Sequence, residues 1–237
     1  MSTDINYYFR QPEKFSIPGF LTGIKETKGI LEFAKTFLKN SLVDNNVCEN
    51  HGEIKGSGPT FYGNYYVDKG TVIYNDVTII GPVYIGADVE IMPGAIIRPY
   101  TIISNKCSIG HGSELKHVVM FEGSKVASLS FVGDSVLGVS ARIGSGVITA
   151  NRKFDQTDAT LKFDGSKHAL DSDYFGLIIG DSSRIGANCT TQPGTHIGPY
   201  TWVLPGICLR DFIPEKMRVM KEEKLVYSEN PVVELKP

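Results

Sequence analysis

From Phe61 onward an aliphatic or aromatic residue returns at every sixth position: Phe61, Val67, Ile73, Ile79, Ile85, Ile91, Ile97, Ile103, Ile109 and Leu115. Four residues after each of these, from Val67 on, stands a small or β-branched residue: Thr71, Val77, Val83, Val89, Ala95, Thr101, Cys107, Ser113 and Val119. Neither a helical period of about 3.6 nor strand alternation of about 2 sustains such a clock. Each hexapeptide therefore reads as one short strand and a bend. Its first residue fills a core, and the fifth packs near a corner where a large side chain would not fit. Three such sides make one coil of a prism, and successive coils hydrogen-bond in parallel at about 4.8 Å. Residues eighteen apart then stack on one wall, so the expected fold is all-β, a parallel β-helix.

The clock slips after Phe121, resumes at Val126 and Val132, and shifts again at Leu137 and Ile143. It is interrupted by a polar stretch, 151–173, and restarts through Ile179, Ile185, Thr191, Ile197, Val203 and Leu209. Together this predicts about seven coils at the spacing above, with the interruption thrown out from one corner as a loop long enough to suggest function. In the N-terminal flank, Thr22–Leu42 places Ile30, Leu31, Ala34, Phe37 and Leu38 on one helical face and predicts an amphipathic helix. After Asp211, Pro214 and the acidic residues following it predict a short C-terminal helix capping the open end of the coil. The division expected is an N-terminal extension over 1–55, the β-helix over 56–210 with a looped-out insertion at 151–176, and a capping segment over 211–237.

Composition narrows the function classes. Charged residues make up 21% and the formal net charge is -2, so nothing suggests a nucleic-acid surface or an acidic tail. No apolar run approaches the roughly 18 residues that span a bilayer. The four cysteines lack CxxC spacing and the N-terminus carries no basic-then-apolar signal, which fits a soluble protein of the reducing cytoplasm. Cys107 and Cys189 fall on small corner positions and read as packing residues. No histidine pair has the spacing of a zinc site in this kind of coil, so no metal is expected.

The ordered segments IIRPYTI, SELKH, GSKVASLSFVGDSVLG, RIGSGVITAN and LIIGDSSRIGANCTTQPGTHIGPYTW resemble the acetyltransferase half of the bifunctional enzymes that make UDP-N-acetylglucosamine, together with related archaeal sugar-1-phosphate nucleotidyltransferases. ILEFAKTFLKN resembles the linker helix of those enzymes, while the Gly-rich loop of their nucleotidyltransferase domain is not found. The resemblance implies a left-handed coil, a homotrimer with clefts between neighbouring prisms, acetyl-CoA as co-substrate, and a sugar phosphate or nucleotide sugar as acceptor. Arg98 and Lys116 match the arginine and lysine that hold the acceptor phosphate, and they lie one eighteen-residue coil apart. Two cations that close repel unless an anion or carboxylate lies beside them.

Three acceptor-side positions depart from the pattern. Ser128 stands where the family has its histidine base, Phe131 replaces a tyrosine, and Arg142 replaces an asparagine. A serine hydroxyl cannot accept the proton at neutral pH, which leaves His117, next to Lys116, as the candidate substitute base beside the plainer reading of an exposed, uninvolved histidine. On the donor side Asn151 is retained, Arg152 replaces a tyrosine, and Ser145, Gly146, Ser183 and Thr201 lie on segments that border the pantetheine groove. Arg152, Lys153 and Lys162 are expected contacts for CoA phosphates. Trp202 is read either as an adenine-stacking residue or as an interface residue. The expected function is a CoA-dependent acyltransferase on an amino- or hydroxy-sugar phosphate or nucleotide sugar. The alternative is a catalytically silent trimer that binds such a ligand or partners a separate nucleotidyltransferase.

Overall fold

The computed structural model describes residues 3–17 and 19–222. They form a parallel β-helix of the hexapeptide type. One wall is a nine-stranded parallel sheet running from Glu53–Ile54 to Arg218–Val219. The other two walls merge into one fifteen-stranded sheet, because strands Glu114–Met120 and Phe131–Leu137 turn a corner without a break. The core is the clock residues themselves: Val67, Ile73, Ile79, Ile85, Ile91, Ile97, Ile103, Ile109 and Leu115 are fully buried in one cluster.

Among the described residues, the nine rungs of that wall exceed the seven expected. The extra ones use Cys48–Asn50 and Glu53–Ile54 at the start, and Phe212–Ile213 and Arg218–Val219 at the end. The latter pair corrects the expected C-terminal helix. Ile213 and Val219 keep the six-residue spacing and pack on the core, so the coil continues where Pro214 and the acidic residues suggested a helix. Residues 223–237 lie outside the described residues.

Small corner residues have a repeated job. The Ser183 hydroxyl donates to Gly198 O (2.7 Å) and accepts from Thr201 N (2.9 Å). Thr71 does the same with Gly86 O and Val89 N. Each hydroxyl links two rungs from inside, where a larger side chain would force them apart.

One wall is apolar on its outside as well. Tyr66, Tyr84, Ile102, Val119, Val136, Ile178, His196 and Phe212 stack in register along it, facing away from the core. The N-terminal segment covers this stripe. Helix α1 (Ile5–Tyr8) and helix α2 (Lys28–Leu38) lie along it, with Phe9, Phe15, Phe20, Ile30, Leu31, Ala34 and Leu38 forming a second core against the wall. The expected helix over 22–42 is thus found, starting at Lys28 and extending through a π-turn over Lys39–Val43. Burying each of Ile30, Leu31 and Leu38 is worth about 1.5–3 kcal/mol, enough to hold an eleven-residue helix that would be marginal alone.

The slip in the clock is a deletion at one corner. Ile96 pairs with Glu114, eighteen residues on, whereas Ile102 pairs with Val119, seventeen on. Arg98-Pro99-Tyr100 in one coil becomes Lys116-His117 in the next and Gly133-Asp134 after that. The chain turns this tightened corner through a single left-handed residue, His117 (φ 53) and then Asp134 (φ 45). The next coil leaves from the same corner: Arg142 pairs with Arg184, and the residues between include the insertion. Arg152 and Tyr174 bridge its neck, and an antiparallel hairpin, Thr160–Phe163 with Ser166–Ala169, forms its body.

Candidate functional site

The tightened corner, α2 and the neck of the insertion enclose a cavity of about 530 Å³. Arg98 and Lys116 both line it, one rung apart, as the eighteen-residue spacing requires. Neither cation is left bare. Arg98 donates to Glu114 (2.7 Å) across a partly exposed pair, and Lys116 donates to Asp134 (3.0 Å). The second pair is of a different kind, because the Asp134 side chain is only 4% exposed.

Asp134 is the hub of the corner. Its carboxylate accepts from Lys116 Nζ (3.0 Å), His117 Nδ1 (2.9 Å) and Asn151 Nδ2 (2.5 Å). Burial alone would raise its pKa, but these three donors outweigh burial and hold the carboxyl below the ordinary aspartate value. The buried charge therefore persists at neutral pH and fixes three side chains at once. Gly133 makes this possible: a Cβ there would stand 2.7 Å from Asn151 Nδ2 and 2.9 Å from Phe131 Cε1.

His117 is buried, which corrects the reading of an exposed histidine. Corner tightening places its ring under α2, with Nδ1 on Asp134 and Nε2 3.1 Å from the Leu31 carbonyl of α2. Both nitrogens face acceptors, so Nε2 reaches a ligand only if the ligand takes the place of Leu31. Tyr174, from the insertion neck, closes the other side, with Lys116 Nζ 4.2 Å and the Arg152 guanidinium 4.8 Å from its ring centroid.

The remaining sequence-derived residues fall elsewhere. Asn151 joins the Asp134 cluster, and Phe131 packs beside it on the outer face of the coil. Ser128 sits at a different corner, its backbone stacked on Gly110 and Gly146, away from the cavity. Ser145 and Gly146 are at the corner that bonds Asn188. Ser183 and Thr201 point inward, fully buried, their hydroxyls spent on the backbone. They cannot touch a cofactor, because position five of the repeat faces the core; their outward neighbours are Arg184 and Trp202. Arg142 lies with those two. Lys125, Arg142, Arg184, Trp202 and Arg218 stack in one outward column, with Arg184 5.7 Å from the Trp202 ring and Trp202 56% exposed. Among the described residues none of these four cations has an ion-pair partner.

Sequence reasoning missed Asp134, Tyr174 and the α2 lysines. Asp134 escaped because the corner has lost a residue: it stacks on His117, seventeen residues on, so an eighteen-residue count does not put it there. Tyr174 had no signal, because nothing in the clock says where an insertion folds back, while for α2 the signal was the apolar outward column that it covers. The thiol of Cys107 is pushed up to about 12 by burial, consistent with packing.

Comparison with known proteins decides the relationship. Residues 79–162 match the family described as the GMPPB C-terminal domain. The bifunctional sugar-1-phosphate nucleotidylyltransferase/acetyltransferase of Sulfurisphaera tokodaii is 39% identical over 114 residues, 48% of this chain and 28% of that protein. The bifunctional protein GlmU of Methanococcus vannielii is 30% identical over 220 residues, 90% of this chain and 50% of that protein. The coil is homologous to the GlmU-type sugar-1-phosphate nucleotidylyltransferases and acetyltransferases. This chain spans half or less of the length of these two GlmU-type relatives. Among solved structures, the acetyltransferase domain of PglB from Neisseria gonorrhoeae, in complex with acetyl coenzyme A, aligns at 22% identity and a TM-score of 0.30. That alignment covers 60% of this chain and 52% of that one.

Proposed function

We propose that this protein transfers an acyl group from a CoA thioester to a sugar that carries a phosphate, with the acceptor bound in the Asp134 corner. The observation that carries the reading is the pair Arg98 and Lys116, one rung apart in one cavity, with Lys116 locked by a buried carboxylate. Arg98 is held by a partly exposed pair worth about 0–1 kcal/mol, so it can leave Glu114 for a phosphate at little cost. Arg98→Ala and Lys116→Ala should each weaken glucosamine 1-phosphate binding at least tenfold by calorimetry; unchanged affinity in both would remove the phosphate role.

The acceptor amine or hydroxyl attacks the thioester carbonyl carbon; a C–N or C–O bond forms, the C–S bond breaks, and the thiolate leaves as CoA. The attacking group's proton goes to His117 Nε2 once the acceptor displaces the Leu31 carbonyl, and Asp134 steadies the imidazolium through Nδ1. His117 can then return that proton to the thiolate. Ser128 lies too far around the prism to serve the same cavity from the same chain. On the donor side, Arg184, Trp202 and Arg142 are the exposed groups near the segments expected to meet CoA. The homotrimer and the cytoplasmic location implied by the resemblance belong to the same reading.

A silent phosphate-binding protein is favoured by one observation, the engagement of both His117 nitrogens. The discriminating assay is thiol release from acetyl-CoA against amino- and hydroxy-sugar phosphates. Turnover by the wild type that falls at least a hundredfold in His117→Asn supports acyl transfer. An inert wild type, with activity gained by Ser128→His, supports the silent reading.

A further inference from the structure

The side of the cavity opposite Arg98 and Lys116 is built by α2, outside the segment that matches the GMPPB C-terminal domain, 79–162. Lys28, Leu31, Glu32 and Lys35 all line the cavity, at the i, i+3, i+4 and i+7 positions of one helical stripe. Leu31 sits over His117, and the two lysines flank it, two turns or about 10 Å apart along the axis. The stacked pair on the coil is separated by one rung, about 4.8 Å. A single phosphate can bridge the rung pair but cannot also reach both ends of the α2 stripe.

The α2 lysines are also held in a way that leaves them available. Lys28 pairs with Asp171 of the insertion (2.6 Å) and Lys35 with Glu32 (2.6 Å), all four side chains between 34% and 66% exposed. Such pairs exchange readily with an incoming anion, unlike the buried Lys116–Asp134 pair. Tyr100 and Tyr174 line the same space and offer aromatic faces. The cavity volume, about 530 Å³, falls in the range that takes a whole drug-sized ligand, with room beyond a single sugar ring.

We propose that Lys28 and Lys35 of α2 form a second anion subsite facing Arg98 and Lys116, so that the acceptor is a nucleoside diphosphate sugar and not a sugar monophosphate. This rests on the acceptor reading above and specifies its substrate class. One phosphate lies on the rung pair, the other exchanges with Asp171 or Glu32 at α2, and the freed carboxylates accept sugar hydroxyls. The insertion and α2 then act as specificity elements added to a phosphate-binding corner.

The test is calorimetry with uridine and guanosine diphosphate sugars against the matching sugar 1-phosphates, on the full chain. Expected is tighter binding of a diphosphate sugar by at least tenfold, lost in Lys28→Gln and Lys35→Gln, restored in Lys35→Arg, with sugar 1-phosphate affinity unchanged in all three. Equal loss for both ligand classes, or no loss for either, overturns the second subsite while the acceptor reading stands on Arg98→Ala. Failure of the wild type to bind any of these ligands overturns both. The Lys35 side chain is 39% exposed and, among the described residues, pairs only within α2, so its Gln variant keeps the fold and the comparison interpretable if Lys28→Gln loosens the insertion.

Discussion

Asp134→Ala should cost about 3–5 kcal/mol of stability and lower the melting temperature by on the order of 10 °C. The reason is the asymmetry of buried polar groups. The wild-type carboxylate satisfies Lys116, His117 and Asn151 together, and removing it leaves a buried imidazole, an amide and an ammonium without their acceptor. Asp134→Asn should lose less, because one oxygen still accepts, but Lys116 then lacks its counter-charge. Lys116→Met should be milder still, since two donors remain on Asp134. Thermal denaturation of the three variants gives the order Ala, Asn, Met from worst to best; an Asp134→Ala protein that melts with the wild type would show that the cluster holds nothing. Phosphate affinity should fall with the same order for Ala and Asn, because the carboxylate aims Lys116, the lysine proposed to grip the ligand.

The second large effect is acid lability through His196. This histidine occupies a position in the outward apolar column that Ile102, Val119, Val136 and Ile178 fill elsewhere, and Tyr8 of α1, Thr27 and Phe175 seal it. Its ring is fully buried, stacked on Phe175, with Nε2 3.0 Å from the Thr27 hydroxyl and Nδ1 2.9 Å from Gly194 O. Desolvation lowers its pKa from 6.5 to about 4. A histidine depressed in the folded state binds its proton more readily when unfolded, so its contribution is constant above about 6.5, declines as pH falls, and levels off below about 4. The full loss is on the order of 3 kcal/mol. Asp181, raised by burial, works in the opposite sense at more acid pH, and Asp134, lowered, loses its contribution only below the usual aspartate range. The difference between wild type and His196→Leu isolates the histidine. That difference should change by about two decades of folding constant between pH 7 and pH 4. A constant difference would mean that the buried ring is not neutral.

The coil was legible because its rule is strict. An inward residue every six positions admits no other assignment, and the stacking of Arg98 on Lys116 follows from counting. Fold-back was harder to read. The outward residues Tyr66, Tyr84, Ile102, Val119, Val136, Ile178 and Phe212 are as apolar as the core, a visible sign that something covers that wall, but the clock directs attention to the inward positions. The C-terminal helix expectation failed because local start signals at Pro214 were weighed above Ile213 and Val219, which keep the period. Ser183 and Thr201 were assigned to a ligand by resemblance although the repeat itself places them inside. His117 changed character through a one-residue deletion, visible as a slip in the count, and through the fold-back of α2 over that corner, which the count does not show.

The central claim is that the tightened corner is a phosphate site. A crystal soaked with glucosamine 1-phosphate tests it most directly. Density for the phosphate between Arg98 and Lys116, with Arg98 swung away from Glu114, is the result expected. Phosphate bound only on the Arg142–Arg184 column, with the corner cavity empty, would contradict the account.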